Sequence, residues 1–187
     1  MTNKAVMTNN PAKCNDCLKH PPVQTRTEVV FVYQGAIPYL IKALKFAHNH
    51  ASGRILGTLM AEYFSTLDKK PDLLIPVPLH PNRYQQRGYN QSIELARPVA
   101  QKLRIPLVVD ACIRIRSTQA QSRLNAKERQ RNIRGAFHMH TALQADHIAI
   151  IDDVITTGST ASEMAKVLHQ QGVRRIDVWA CAKAIKR

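Results

Sequence analysis

The amino-acid sequence predicts an α/β domain with a mainly parallel sheet flanked by helices. Three observations carry that prediction. Short apolar runs alternate along the chain with stretches of helical period, the pattern of repeated β-α-β units. The stretch from His147 to Ile151 is of continuous apolar character, which suits a parallel strand covered on both faces. That stretch leads through Asp152 and Asp153 into Thr156-Thr157-Gly158-Ser159-Thr160, a small-residue turn placed to open a helix.

Residues 1–27 carry Asn, Thr and Pro without an apolar period. They are expected to form a tail with a Cys14/Cys17 turn, ahead of a domain spanning 28–187. Val29 to Tyr33 reads as a strand broken by Gly35. Ile37 to Phe46 has helical spacing, with Pro38 tolerated in the first turn, and Ile55 to Leu67 repeats that pattern. Asp72 to Pro78 is a short buried strand ended by its prolines, and Leu79 to Tyr89 is expected as an extended loop carrying Arg83 and Arg87. Asn90 caps a helix that runs to Leu103, in which Arg97 is structural. Leu107 to Val109 and Cys112 to Ile115 offer strand material. Ser159 or Thr160 opens the next helix, with Met164, Val167 and Leu168 on one face, Glu163 as a capping-box partner and Gly172 as the stop. Ile176 to Ala180 supplies the last strand.

A chain of 187 residues with 44% hydrophobic residues suits one main domain with a proper core. No stretch approaches the roughly 20 apolar residues of a membrane span, and the N-terminus lacks the apolar segment of a secretory signal. A cytoplasmic location is therefore expected. There the cysteines stay reduced, so Cys112 and Cys181, each in an apolar stretch, are expected as buried small hydrophobes. The 27 Lys and Arg against 13 Asp and Glu, net +14, favour polyanionic partners: phosphorylated metabolites, nucleic acid or an anionic membrane surface. Arg114, Arg116, Arg123, Lys127, Arg129, Arg131 and Arg134 share one stretch whose sole acid is Glu128.

The order strand, two acids, turn, helix carries the chemistry. It places the acids at the carboxyl end of a strand and the turn at a helix N-terminus, the edge where open α/β sheets bind ligands. Backbone N–H groups, the positive helix end and the hydroxyls of Thr156, Thr157, Ser159 and Thr160 suit a phosphate, and Gly158 permits its close approach. Asp152 and Asp153 lie where carboxylates would accept from the hydroxyls of a ribose whose 5-phosphate fills the turn, or orient the waters of a bound Mg²⁺. Competing nucleotide motifs are missing: no Lys precedes a Ser or Thr, and no glycines have dinucleotide spacing.

The segment from Ile148 to Thr160 resembles the phosphoribosyl pyrophosphate (PRPP) motif of type I phosphoribosyltransferases. The wider pattern runs Pro76-Val77-Pro78-Leu79-His80, Arg83, Arg87-Gly88-Tyr89-Asn90-Gln91, then Gln121, Leu124, Arg129 and Asn132 with Gly135-Ala136-Phe137. It is similar to the ComF family of competence-associated proteins, and the resemblance runs from about Cys14 to the C-terminus. It implies that Asp152 and Asp153 hold ribose with Mg²⁺, that Thr156 to Thr160 hold the 5-phosphate, and that Arg83, Arg87 and Gly88 hold pyrophosphate. Ser117 to Asn132 resembles the mobile loop that closes over PRPP, with Arg123, Lys127 and Arg129 as its cations.

Two departures matter. Purine-salvage transferases place a third acid where Thr156 stands here, so purine salvage is not expected. The family also opens with a zinc ribbon of two Cys-x-x-Cys knuckles, whereas this chain has Cys14 and Cys17 alone, with His20 a candidate third Zn²⁺ ligand and no fourth evident.

Two functions follow. One is a transferase moving phosphoribose from PRPP to an unidentified acceptor and also binding single-stranded DNA, in a protein needed for DNA uptake, alongside other competence proteins. The other is a non-catalytic protein that senses PRPP or binds single-stranded DNA through Arg114, Arg116, Arg131 and Arg134, with Tyr84 and Tyr89 as stacking surfaces.

Overall fold

The computed structural model describes residues 21–117 and 126–185. Cys14, Cys17, His20, Gln121, Arg123 and Leu124 lie outside the described residues, and the side chains of Lys127 and Arg129 lie outside them as well. A parallel sheet forms the centre, in the order β1 (Arg26–Val32), β6 (Arg175–Lys183), β5 (His147–Ile155) and β2 (Leu73–Pro76). Beyond β2, Leu107 bridges Leu74 in parallel, with Leu74 N–H donating to Pro106 O and Val108 N–H donating to Leu74 O.

Parallel neighbours need crossovers, and helices supply them. Between β1 and β2 run α1 (Ile37–Phe46) and α2 (His50–Ser65). After β2 come α3 (Pro81–Arg87) and α4 (Gln91–Leu103). An antiparallel pair, β3 (Cys112–Arg114) with β4 (Phe137–Met139), brackets α5 (Ala126–Ile133). Between β5 and β6 runs α6 (Ser159–His169).

The continuous apolar run of β5 is explained by two cores. Ile148 and Ile150 face one with Met164, Ala165 and Leu168 of α6, while Ala149 and Ile151 face the other with residues of α1, α2 and α4. In the second core the fully buried Trp179 stacks on Phe64, ring centroids 4.4 Å apart. There α2 and α4 meet at Gly57, where an added Cβ would lie 2.8 Å from Pro98 Cγ and 2.9 Å from the Leu95 carbonyl oxygen. Cys112 and Cys181 are buried free thiols, pushed up to about 12 by burial, as a pair of small core hydrophobes should be. Among the described residues no helix is long and apolar enough to cross a membrane.

The structure departs from the sequence reading where tertiary partners decide. β1 begins at Arg26 because it pairs with β6 from Asp177 onward. α2 begins at His50, since the Asn49 side chain accepts from Ser52 N–H at 3.0 Å and caps it. The extended loop expected over 79–89 is largely the short helix α3: His80 Nδ1 accepts from Asn82 N–H at 3.3 Å, and Pro81 takes the first turn. β4 had no sequence signal, because a strand of three residues exists only by pairing with β3.

Candidate functional site

The site forms at the carboxyl end of β5, where the chain leaves the sheet. Gly158 takes a left-handed conformation, φ 75°, which favours glycine. It stands at the N-cap of α6 and supplies no side-chain bond to the first turn. Thr156 and Thr157 are exposed, and Gly158, Ser159 and Thr160 are half-buried. Thr157 Oγ1 and Ser159 Oγ lie 2.8 Å apart. The turn therefore presents hydroxyls and N-terminal amides together, the composition of an anion cradle. Glu163 corrects the capping-box expectation. Its Oε1 accepts from Gly135 N–H at 2.7 Å, and its Oε2 accepts from Lys166 at 2.9 Å, so it ties α6 to the turn before β4.

The two acids are not equivalent. Asp153 is 4% exposed and Asp152 is half-buried. Asp153 N–H donates to Asp152 Oδ1 at 2.8 Å. Lys45 Nζ lies 2.8 Å from each oxygen of Asp153 and donates a hydrogen bond to Oδ1. Burial first, then the adjacent Asp153 charge, pushes the Asp152 carboxyl up to about 7, against the opposing pull of Lys45, the hydrogen bond from Asp153 N–H and Arg114.

Opposite the acids stands the segment Arg83 to Gln91, in which several residues serve the scaffold. Gly88, φ 76°, ends α3 in a left-handed cap, its N–H donating to Tyr84 O. The Tyr89 hydroxyl donates to the Leu44 carbonyl of α1. Asn90 caps α4 by accepting from Ser92 N–H at 2.9 Å, and its amide donates to Val77 O at 2.9 Å. Gln91 accepts from Arg87 Nη1. The Arg87 guanidinium sits 5.5 Å from the centre of the Phe46 ring, its pKa lowered by burial and raised in part by the Asp153 charge. Tyr89, expected as a stacking surface, is instead 8% exposed, while Tyr84 is open to solvent.

The basic stretch divides. Arg114 is buried, 5.7 Å from the Phe137 ring centre, and its pKa is pushed down to about 10 by burial and by Arg83, against the raising charge of Asp152. A guanidinium so enclosed offers no face to a nucleic-acid strand; it lies on the acid side of the hairpin. Arg116, Arg131 and Arg134 are exposed, and Arg116 Nη1 donates to Arg134 O at 2.6 Å.

The structure thus brings together Asp152, Asp153 and the 156–160 turn on one strand end, with Arg87 and Arg114 in their field and Arg83 close enough to act on both guanidinium groups. It adds two residues that the sequence reading missed. Lys45 and Phe46 end a helix separated from the acids by about a hundred residues, and no local pattern marks them.

A family model described as a phosphoribosyl transferase domain matches residues 43–186. The chain belongs to that family. The parallel sheet flanked by helices is accordingly the type I phosphoribosyltransferase fold expected from the sequence. This phosphoribosyltransferase-domain chain is 33% identical to the DNA utilization protein YhgH of Escherichia coli O157:H7, over 95% of this chain and 81% of that protein. It is 34% identical to competence protein F of Haemophilus influenzae, over 91% of this chain and 78% of that one. Competence protein ComFC of Streptococcus pneumoniae is 24% identical, over 91% of this chain and 75% of its own length.

Proposed function

We propose that the chain binds PRPP at the carboxyl edge of its sheet and transfers phosphoribose to an acceptor, in a cytoplasmic role in DNA uptake. The observation that carries this reading is the acidic pair two residues ahead of an anion-cradling turn, with the Arg87 and Arg114 guanidinium groups in its field. The names of the relatives, competence and DNA utilization proteins, supply the DNA context.

In this reading the 156–160 turn receives the 5-phosphate, and Asp152 and Asp153 accept from the ribose hydroxyls. Arg83, Arg87, Gly88 and the buried Arg114 face the pyrophosphate, for which planar guanidinium forks are suited. The reaction is substitution at the anomeric carbon. The bond to the pyrophosphate oxygen breaks with its electron pair going to pyrophosphate, and a bond forms to the acceptor, which gives up a proton. Thr156 provides no carboxylate base for that proton, which separates the acceptor from those of purine salvage.

Among the described residues no three His, Cys, Asp or Glu side chains converge. The acidic pair would offer carboxylate oxygen to a Mg²⁺ that arrives with PRPP and keeps waters of its own, the usual habit of this ion. When bound, Mg²⁺ neutralises charge on the departing pyrophosphate.

Thermal unfolding with PRPP and Mg²⁺ tests the reading. The wild-type midpoint should rise with ligand concentration, and the Asp152→Ala/Asp153→Ala variant should not respond. No shift in the wild type sinks the proposal; a shift without pyrophosphate release reduces it to PRPP sensing.

A second reading rests on the exposed Arg116, Arg131 and Arg134, which form a cationic surface suited to single-stranded DNA. Charge reversal of all three should flatten the salt dependence of oligonucleotide binding, with the slope falling by about two. An unchanged slope removes this surface from consideration.

A further inference from the structure

We propose that Lys45 is a resident counter-cation of the acidic pair, holding Asp153 so that Asp152 alone stays open to a divalent cation. The inference deepens the PRPP reading and rests on it. The two carboxylates belong to consecutive residues and are linked by the bond from Asp153 N–H to Asp152 Oδ1. Two like charges so close repel strongly where burial excludes water. The ammonium group of Lys45, 2.8 Å from each Asp153 oxygen, offsets that repulsion from a position fixed by the fold.

Two contacts and one exposure show that the position is built. Leu44, fully buried, anchors the turn of α1 that carries Lys45, and its carbonyl accepts the Tyr89 hydroxyl. Phe46, the next residue, lies under the Arg87 guanidinium. The Lys45 side chain itself is 23% exposed, unlike the freely solvated lysine usual near a helix end. The element Arg87-Gly88-Tyr89 thus grips the residues on either side of Lys45 and aims its amine at Asp153.

The consequence concerns metal demand. With Lys45 present and both carboxylates ionised, the pair and its counter-cation carry one net negative charge, and both Asp153 oxygens lie 2.8 Å from the ammonium, which donates to Oδ1. Without it, two adjacent carboxylates stand uncompensated at the strand end and should recruit a divalent ion unaided. Magnesium dependence therefore reports Lys45 directly.

The test compares wild type, Lys45→Met, Lys45→Arg and the double variant Lys45→Met/Asp153→Asn, by thermal unfolding with Mn²⁺ or Mg²⁺ alone and then with PRPP. Metal without PRPP should stabilise Lys45→Met and leave the other three unmoved. The Mg²⁺ needed for half of the PRPP-induced shift should fall about tenfold to a hundredfold in Lys45→Met, because the metal no longer competes with an ammonium held by one hydrogen bond to a charged group, and return toward wild type in Lys45→Arg. A Lys45→Met protein with no response to metal alone and wild-type Mg²⁺ dependence overturns the proposal. Should Lys45→Met fail to fold, the double variant decides. Its folding shows that the defect was the uncompensated Asp153 charge, and its failure shows that Lys45 only packs. Absence of any PRPP shift in the wild type counts against the PRPP reading, whereas the metal-only comparison still judges Lys45.

Discussion

Replacing Asp152 by Asn should stabilise the ligand-free protein while weakening its response to PRPP. The amide keeps an oxygen for the Asp153 N–H bond and removes only the charge. In the wild type the folded state holds this carboxyl near 7 against an ordinary 3.8. A carboxyl raised in the folded state favours folding most when protonated, and that advantage disappears as pH climbs from about 4 through 7. At ~1.4 kcal/mol per pH unit the ionised group costs up to ~4 kcal/mol, and sharing the charge with Asp153 and Lys45 brings the realised figure nearer ~2 kcal/mol. For a domain of this size that is a midpoint rise of about 4–8 °C. The assay is calorimetry with chelator across a pH series. The variant should exceed wild type most at about pH 8 and converge with it near about pH 4. A gap independent of pH, or a less stable variant at the alkaline end, would refute the argument that the acidic pair is held at the expense of the fold.

Two further perturbations probe the scaffold. Gly57→Ala should lower stability by about 1–2 kcal/mol in denaturant melts, since the new methyl meets the Leu95 carbonyl at 2.9 Å and overpacking outweighs the better helix propensity of Ala; a neutral result would mean that α2 and α4 separate readily. Tyr89→Phe should cost about 1–2 kcal/mol by leaving the Leu44 carbonyl without its donor, and should lower the Mg²⁺ requirement for PRPP binding, because α1 no longer fixes Lys45. Lost stability with an unchanged requirement would separate the two roles.

The legibility of this fold follows the range of its determinants. β5 and α6 could be read because their signals are local: a doubly buried strand runs apolar on consecutive residues, and Gly158 marks a turn that only a left-handed residue closes. Asn90 could be read as a cap because side chain and amide are neighbours. α3 was missed although its signal was present, since His80 is a weaker capping signal than Ser or Asp and Pro81 suggests a loop as readily as a first turn. Lys45 was illegible for a different reason. Its partner lies 108 residues away, and the pairing arises only once α1 has packed into the core shared with β5. Arg114 looked like one more surface cation because seven basic residues stood together, and only the β3–β4 pairing turns it inward. Glu163 had the capping spacing, but Gly135 N–H, brought near by α5 and β4, claimed its carboxylate. The charge distribution could be read; which charges face inward could not.

The Arg87-Gly88-Tyr89-Asn90-Gln91 element has a consequence for how such chains are recognised. Gly88 ends one helix, Asn90 begins the next and fastens the Val77 carbonyl, and Tyr89 fastens α1. A pattern built mostly from such fastenings certifies architecture before chemistry. A chain that had lost its acids and its phosphate turn would still need Tyr89 and Asn90 to keep its helices in place. The five-residue word therefore identifies the frame on which a reaction is mounted, and the reaction must be read separately, from the acids, the turn and the amine that the frame delivers to them.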